Sequence, residues 1–259
     1  MTAGRNDWDV IVVGGGMGGL ESFYGHLLCR DALKNRFWPH PVLDFVAAAG
    51  IVINAAGRRI ADEGQGGIHV ANCVAKLPDP LCAFVVFDER IWNGPPGRAK
   101  LVPPNPYIET VGGTVHAANS LSDLARALAV PVDAFNQTVS EYNAAVKAGN
   151  CSKLTLPRTT GNSFMPFPLD AYPIEVPPFR AMPLCVGITY TMGGIGIDAD
   201  ARVLSADGGV IEGLYATGAT TGGIEGGPYA GYVGGLAKAA IFGLRAAEMA
   251  RTRLAESRP

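Results

Sequence analysis

Two glycine-rich turns, one near each end of the chain, restrict the fold more than any other feature. The first is Asp9-Val-Ile-Val-Val-Gly14-Gly15-Gly16-Met17-Gly18-Gly19-Leu20. The second is Ile211-Glu-Gly213-Leu-Tyr-Ala-Thr217-Gly218, running on to Gly222-Gly223. Asp9–Val13 reads as a short, β-branched, buried strand, and a helix is predicted from Met17 to about Asp31. Gly14-x-Gly16-x-x-Gly19 therefore stands between a strand and a helix, which is the context of a dinucleotide turn. Gly14 permits the tight turn, Gly16 lets the backbone approach a pyrophosphate, and Gly19 lets the helix press on the sheet. The helix N-terminus then offers free N–H groups to the phosphates. A plain glycine turn with no ligand is the competing reading of this one motif.

The glycine excess is local. The chain has 34 glycines, and fifteen of them fall within residues 187–235. Close backbone approaches concentrated in one stretch are what a buried cofactor demands. With 259 residues, 48% hydrophobic and 17% charged, the chain has ample material for a core. A net charge of −2 without a basic patch argues against nucleic acid as a partner. Five cysteines (Cys29, Cys73, Cys82, Cys151, Cys185) without a Cys-x-x-Cys pair fit a reduced, cytoplasmic protein. The apolar run before Gly14 is too short for a secretory leader, and no stretch reaches membrane-spanning length.

Along the chain, Val42–Ala49 reads as helix, and Ile51–Asn54 and Cys82–Phe87 read as strands. Residues 93–106 form a proline-rich loop. Ser120 caps a helix over Leu121–Leu128, and a second helix covers Val132–Ala148. Residues 150–184 are proline-broken and expected to be irregular. Beyond Ile188, short strands are expected at Ile195–Ile197 and Arg202–Leu204, a hairpin turn at Asp207-Gly208-Gly209, and a buried strand at Gly213–Thr217. A long helix from about Gly235 to Ala255 is expected to bury a stripe of Leu236, Ala240, Gly243, Ala247, Ala250 and Leu254.

Four segments together resemble the flavoprotein family of fumarate reductase, succinate dehydrogenase and 3-ketosteroid dehydrogenase. They are the Gly14–Gly19 turn; Ile53-Asn54-Ala-Ala-Gly57-Arg58-Arg59-Ile-Ala-Asp62-Glu63; Thr191-Met192-Gly193-Gly194; and the run from Gly213 to Gly235. A long internal segment of the usual family member has no counterpart here, and it includes the acidic strand end that holds the adenosine ribose. Asp31 is a poor substitute for it. The resemblance implies an α/β fold with a Rossmann-like FAD-binding body built from residues 1–50 and 185–259. Residues 51–184 would form a smaller α+β cap-like substrate lobe. It implies FAD as cofactor, with Gly14, Gly16 and Gly19 at the pyrophosphate. Met192, Gly193, Gly194, Gly218, Gly234, Gly235 and Leu236 would lie near the flavin.

The departures from the family narrow the chemistry. The Arg that donates the proton in fumarate reductases is absent, because Glu63 is followed by Gly-Gln-Gly-Gly. Tyr190 replaces a His before the Thr-x-Gly-Gly loop. Pro228-Tyr229-Ala230-Gly231-Tyr232 stands where an Arg would clamp a carboxylate, and Ala219 replaces an acidic residue. Tyr229-Ala-Gly resembles the ketosteroid dehydrogenase motif. The expected catalytic residues are therefore Tyr190, Tyr229 and Tyr232. The expected reaction is hydride transfer between flavin and a C–C bond beside the carbonyl of a neutral, mostly apolar ketone or enone. The electron partner is left open. The alternative is a shortened, non-redox member that no longer binds flavin: a binding module, a pseudoenzyme or half of a two-chain assembly. His26-x-x-Cys29 and His69-x-x-x-Cys73 lack metal-site spacing, so no metal is expected. The default for Arg58-Arg59 is a solvated pair, with a phosphate contact as the sharper option. The default for Asp62-Glu63 is surface carboxylates, with a catalytic base as the sharper option.

Overall fold

A computed structural model describes residues 22–34, 43–98, 103–161, 170–191, 193–222 and 235–256. The chain divides into two compact units, Phe23–Tyr190 and the combination of Met1–Ser22 with Thr191–Pro259.

The Phe23–Tyr190 unit is built on a mixed layer of sheet and helices. Its strands are β1 (Phe23–Cys29), β2 (Ile51–Asn54), β3 (Ala83–Phe87), β4 (His116–Ala118) and β5 (Phe179–Thr191), in the order β1-β5-β3-β2 with β4 also on β5. Pairing is antiparallel between β2 and β3 (Ile51 opposite Val86), β3 and β5 (Phe84 opposite Pro183), and β4 and β5 (His116 opposite Ala181). All five residues of β3 are buried, as expected of an unbroken apolar run in a central strand. Helices α1 (Asp44–Ala49) and α2 (Gly67–Ala75) pack with β3 and β1 respectively. Helix α3 is Glu89–Asn93 and α4 is Pro104–Thr110. Ser120 accepts from the Asp123 amide at 3.1 Å and starts α5 (Leu121–Ala127), as its residue type predicts. Helix α6 (Val132–Lys147) buries Phe135, Thr138, Val139 and Tyr142, a stripe at helical spacing. Leu27, Val46, Ile53, Val85, Leu124, Phe135 and Met182 are fully buried members of one core.

Three expectations are corrected in this unit. The helix expected up to Asp31 is instead strand β1 over Phe23–Cys29. Phe23, Gly25, Leu27 and Cys29 point inward and alternate with half-exposed Tyr24, His26 and Leu28, which is a period of two. Side chains also satisfy the free edge of this strand. Asn72 accepts from the Phe23 amide and donates to the Phe23 carbonyl, and Asp44 accepts from the Leu27 amide. Such tertiary partners override the local helical preference. The expected irregular stretch ends at Phe179 rather than 184, because β5 gains partners on both edges and accommodates Pro183. Finally, residues 23–50 contribute β1 and α1 to the same sheet and core as residues 51–190, so residue 50 lies inside this unit and not at its edge.

The other unit contains β6 (Arg202–Leu204) and β7 (Val210–Tyr215), an antiparallel pair joined by the Asp207-Gly208-Gly209 turn, and the 22-residue helix α7 (Gly235–Glu256). Among the described residues β7 pairs on one side only, and it is mostly exposed rather than buried. The strand expected at Asp9–Val13 lies outside the described residues. Helix α7 is rotated from the expected stripe. Its buried member is Lys238, whereas Leu236 is 86% exposed and Leu254 41% exposed. Ala239, outside that stripe, and Gly243, within it, face the Thr217–Gly218 segment.

Candidate functional site

The two glycine motifs of the C-terminal region meet each other directly. The Ile195 amide donates to the Thr220 carbonyl at 2.8 Å, and the Gly222 amide donates to the Ile195 carbonyl at 3.2 Å. A parallel bridge joins Ile195 to Thr221. The approach is so close that side chains are excluded. A Cβ on Gly194 would lie 2.5 Å from the Thr220 oxygen, and one on Gly222 would lie 2.4 Å from the Gly194 nitrogen. Gly218, at φ +68°, opens the turn Gly218–Thr220. The hydroxyl of Thr221, fully buried, donates back to the Gly218 carbonyl at 2.8 Å.

Helix α7 begins at this paired loop region. The Thr217 hydroxyl donates to the Ala239 carbonyl at 3.1 Å, and the Lys238 ammonium donates to the Thr221 carbonyl at 3.0 Å. Lys238 is only 6% exposed. Its buried charge, one turn into a long helix, adds to the positive N-terminal end of the helix dipole. Sequence reasoning missed this residue. The available signal was a lone cation in Gly235-Leu-Ala-Lys238-Ala-Ala, otherwise small and apolar.

Of the expected cofactor residues, Gly193, Gly194, Gly218 and Gly235 thus belong to one compact unit, with the last as the first residue of α7. Leu236 belongs to it too, but is exposed. Gly14, Gly16, Gly19, Met192, Gly234, Tyr229 and Tyr232 lie outside the described residues. Tyr190 is in strand β5, and its side chain is likewise outside the description. For a flavin ring the described residues fit: main-chain walls free of side chains, a helix N-terminus and a buried cation.

The Asn54-to-Glu63 segment also earns a physical account. Asn54 Oδ1 accepts from the amides of Ala56 and Arg58, and Gly57 takes φ +71°, so the chain reverses after β2. Arg58 then points outward and Arg59 inward. The Arg59 guanidinium donates to both Glu63 oxygens, at 3.2 and 2.5 Å, and to the carbonyls of Leu156 and Ala61. Glu63 is fully buried and also accepts from the Val52 amide at 2.9 Å. The default expectation of a solvated arginine pair and surface carboxylates is therefore corrected for Arg59 and Glu63. Burial works against ionisation of Asp62, but hydrogen bonds from the Thr159 side chain and backbone, Gln65 and Gly64 outweigh it and hold its carboxyl below the usual value.

A second arrangement missed from sequence is His26 with Asp44. His26 Nδ1 lies 2.7 Å from Asp44 Oδ2, and Asp44 Oδ1 accepts from the Leu27 amide. The hydrogen bond to Asp44 raises the imidazole pKa, partly opposed by burial. Asp31 accepts from the Thr114 amide and the Cys29 thiol, so it is engaged within its own unit. Burial pushes the Cys29 and Cys185 thiols up to about 11, which keeps them protonated at neutral pH. Among the described residues no group of His, Cys, Asp or Glu is arranged to hold a metal ion, and no helix is long and apolar enough to cross a membrane.

The family described as "FAD binding domain" matches residues 35–233. The chain is 35% identical over 205 residues to the NADH:fumarate oxidoreductase of Klebsiella pneumoniae (strain 342), covering 78% of this chain and 20% of that protein. It is 30% identical over 231 residues to the 4-oxocyclohex-2-ene-1-carboxylate 5-dehydrogenase of Sinomonas cyclohexanicum, covering 84% of this chain and 38% of the relative. The fold is that of the 3-ketosteroid Δ1-dehydrogenase from Sterolibacterium denitrificans, with a TM-score of 0.64 at 21% identity over 90% of this chain and 43% of that one. The chain thus spans well under half the length of these relatives. With the match covering most of the chain and the paired glycine loops in place, the chain belongs to the FAD-binding oxidoreductase family, whose cofactor is FAD and whose members include fumarate reductases and 3-ketosteroid dehydrogenases.

Proposed function

We propose that the protein is an FAD-dependent oxidoreductase acting on a C–C bond beside the carbonyl of a neutral, mostly apolar ketone or enone. The observation that carries the reading is the pairing of the Gly193–Gly194 loop with the Gly218–Gly222 loop where α7 begins, with Lys238 buried beside it. When bound, the flavin supplies hydride exchange at its N5. The protein's residues do the rest. The main chain of Gly193 and Gly194 would border the ring without side chains in the way. Lys238 and the N-terminus of α7 would stabilise negative charge on it. Gly14, Gly16 and Gly19 take the pyrophosphate. Tyr229 or Tyr232 donates a hydrogen bond to the substrate carbonyl, and Tyr190 exchanges the proton at the neighbouring carbon. The unit carrying Gly193–Leu236 serves as the FAD body, and the unit carrying β1 to β5 as the substrate cap.

A tyrosine hydroxyl hydrogen-bonds a neutral carbonyl but does not neutralise a carboxylate as a guanidinium does. This favours ketones over fumarate or succinate. The test is an absorbance spectrum over about 350–500 nm after incubation with FAD, followed by turnover with an artificial electron acceptor across ketones and dicarboxylates. A flavin spectrum with ketone turnover supports the reading; turnover of a dicarboxylate alone overturns it. The absence of the acidic strand end that would hold the adenosine ribose favours a second reading, a non-redox member without flavin. A protein that stays colourless and inactive selects that one.

A further inference from the structure

The Phe23–Tyr190 unit has a cavity of about 410 Å³ between the Asn54–Arg59 reversal, one face of α6 and the segment Leu154–Leu156. That volume is within the usual range of small-molecule sites, roughly 300–1,000 Å³. Its charges are arranged unusually. Arg58 Nη2 donates to Gln137 Oε1 at 3.1 Å, and its Nη1 lies 3.5 Å from Thr138 Oγ1. Gln137 Nε2 in turn donates to Glu141 Oε1 at 2.8 Å. One amide therefore bridges a guanidinium and a carboxylate that do not touch. Among the described residues the recorded partners of Arg58 and Glu141 are neutral, in contrast to Arg59, whose charge Glu63 compensates in full. Standard amide and hydrogen-bond lengths set the two charged ends no farther apart than about 8 Å.

We propose that this cavity binds a zwitterionic α-amino acid with an apolar side chain. The amino acid's carboxylate and ammonium groups are bonded to the same carbon. With a hydrogen bond of ordinary length at each end, they span about the same distance as the Gln137 amide does. The carboxylate meets the Arg58 guanidinium, which presents a planar fork suited to it. The ammonium meets Glu141. The side chain lies along Leu154 and Leu156, which are half-buried and provide the apolar wall. A plain carboxylate that displaces the Gln137 amide removes the partner of Glu141 and brings a second negative charge towards it, and a plain amine likewise removes the partner of Arg58 and brings a second positive charge. The site therefore selects against both. Its lining residues all belong to the Phe23–Tyr190 unit, and the binding needs no flavin.

The test is isothermal titration of the intact chain with L-phenylalanine, 3-phenylpropanoate and 2-phenylethylamine. The expected result is saturable binding of one L-phenylalanine per chain, with the other two ligands weaker by at least about 10-fold, the effect of one charged hydrogen bond. Arg58→Gln and Glu141→Gln should each weaken L-phenylalanine by a similar factor. Both side chains are exposed, so the melting temperature should be unchanged. Absence of saturable binding, equal binding of 3-phenylpropanoate, or undiminished binding by either variant would overturn the proposal. The three-ligand comparison on the unaltered protein decides the question even where a variant folds poorly.

Discussion

Substituting Gly194 by alanine tests whether the two glycine loops depend on their close approach. The added Cβ would stand 2.5 Å from the Thr220 oxygen and 2.7 Å from the Gly222 nitrogen. Comfortable carbon contacts need about 3.5 Å or more, so the loops must part by about 1 Å. That movement breaks the Ile195-to-Thr220 and Gly222-to-Ile195 hydrogen bonds, which now measure 2.8 and 3.2 Å. Overpacking costs about 1–3 kcal/mol and each of the two lost bonds about 0.5–1.5, giving roughly 2–6 kcal/mol in all. Gly196→Ala, two residues away, provides the control. There the nearest atom is the Leu204 Cβ at 3.9 Å, an ordinary contact. Its effect should stay within about 0.5 kcal/mol and can be stabilising through a less flexible unfolded chain. Urea unfolding measures the totals. Amide exchange shows whether the loss is local to residues 193–222, while β3 and α6 remain protected. A Gly194→Ala protein as stable as wild type, or a Gly196→Ala protein equally damaged, would refute the reasoning.

Glu63→Gln leaves the Arg59 charge buried without its counter-ion and should destabilise the Phe23–Tyr190 unit by about 3–5 kcal/mol, measured by urea unfolding. His26 has a pKa raised by Asp44. Its stabilising contribution is thus complete below the unfolded value of about 6.5 and is lost as pH rises through the raised one. The melting temperature of wild type minus that of His26→Phe should therefore shrink above that pH; a constant difference would mean that the pair does not titrate. Tyr229→Phe should lower ketone turnover by about 10- to 10⁴-fold in a steady-state acceptor assay if its hydroxyl acts in the transition state.

Much of the Phe23–Tyr190 unit was legible in the sequence, wherever local pattern and tertiary packing agree. The all-apolar run Ala83–Phe87, the Ser120 cap and the amphipathic α6 all appear where periodicity and capping place them. Strand β1 was not legible, because its edge is satisfied by Asn72 and Asp44, which are distant in sequence. The orientation of α7 was misread for a related reason. The stripe from Leu236 to Leu254 looks like the inner face, yet Leu236 is exposed and the helix is seated by Lys238 and Ala239, outside the stripe, together with its Gly243, against Thr217, Gly218 and Thr221. Periodicity reports which residues share a face, not which face finds a partner. The glycine motifs were recognisable, but their direct pairing was not, since nothing in either segment states that the other fills its open side.

The environment of Glu63 bears on why proton exchange is assigned to tyrosines. In the fumarate reductases that the sequence resembles, an Arg shortly after the corresponding Glu donates the proton, and here that position lies within Gly-Gln-Gly-Gly. Glu63 itself is retained, but each of its oxygens is held: Oε1 by Arg59 Nε and the Val52 amide, Oε2 by Arg59 Nη2. A carboxylate held on both oxygens in this way supports the fold. In the proposed function the corresponding role falls to a hydroxyl beside a neutral carbonyl, and the tyrosines at 190, 229 and 232 are the residues to test.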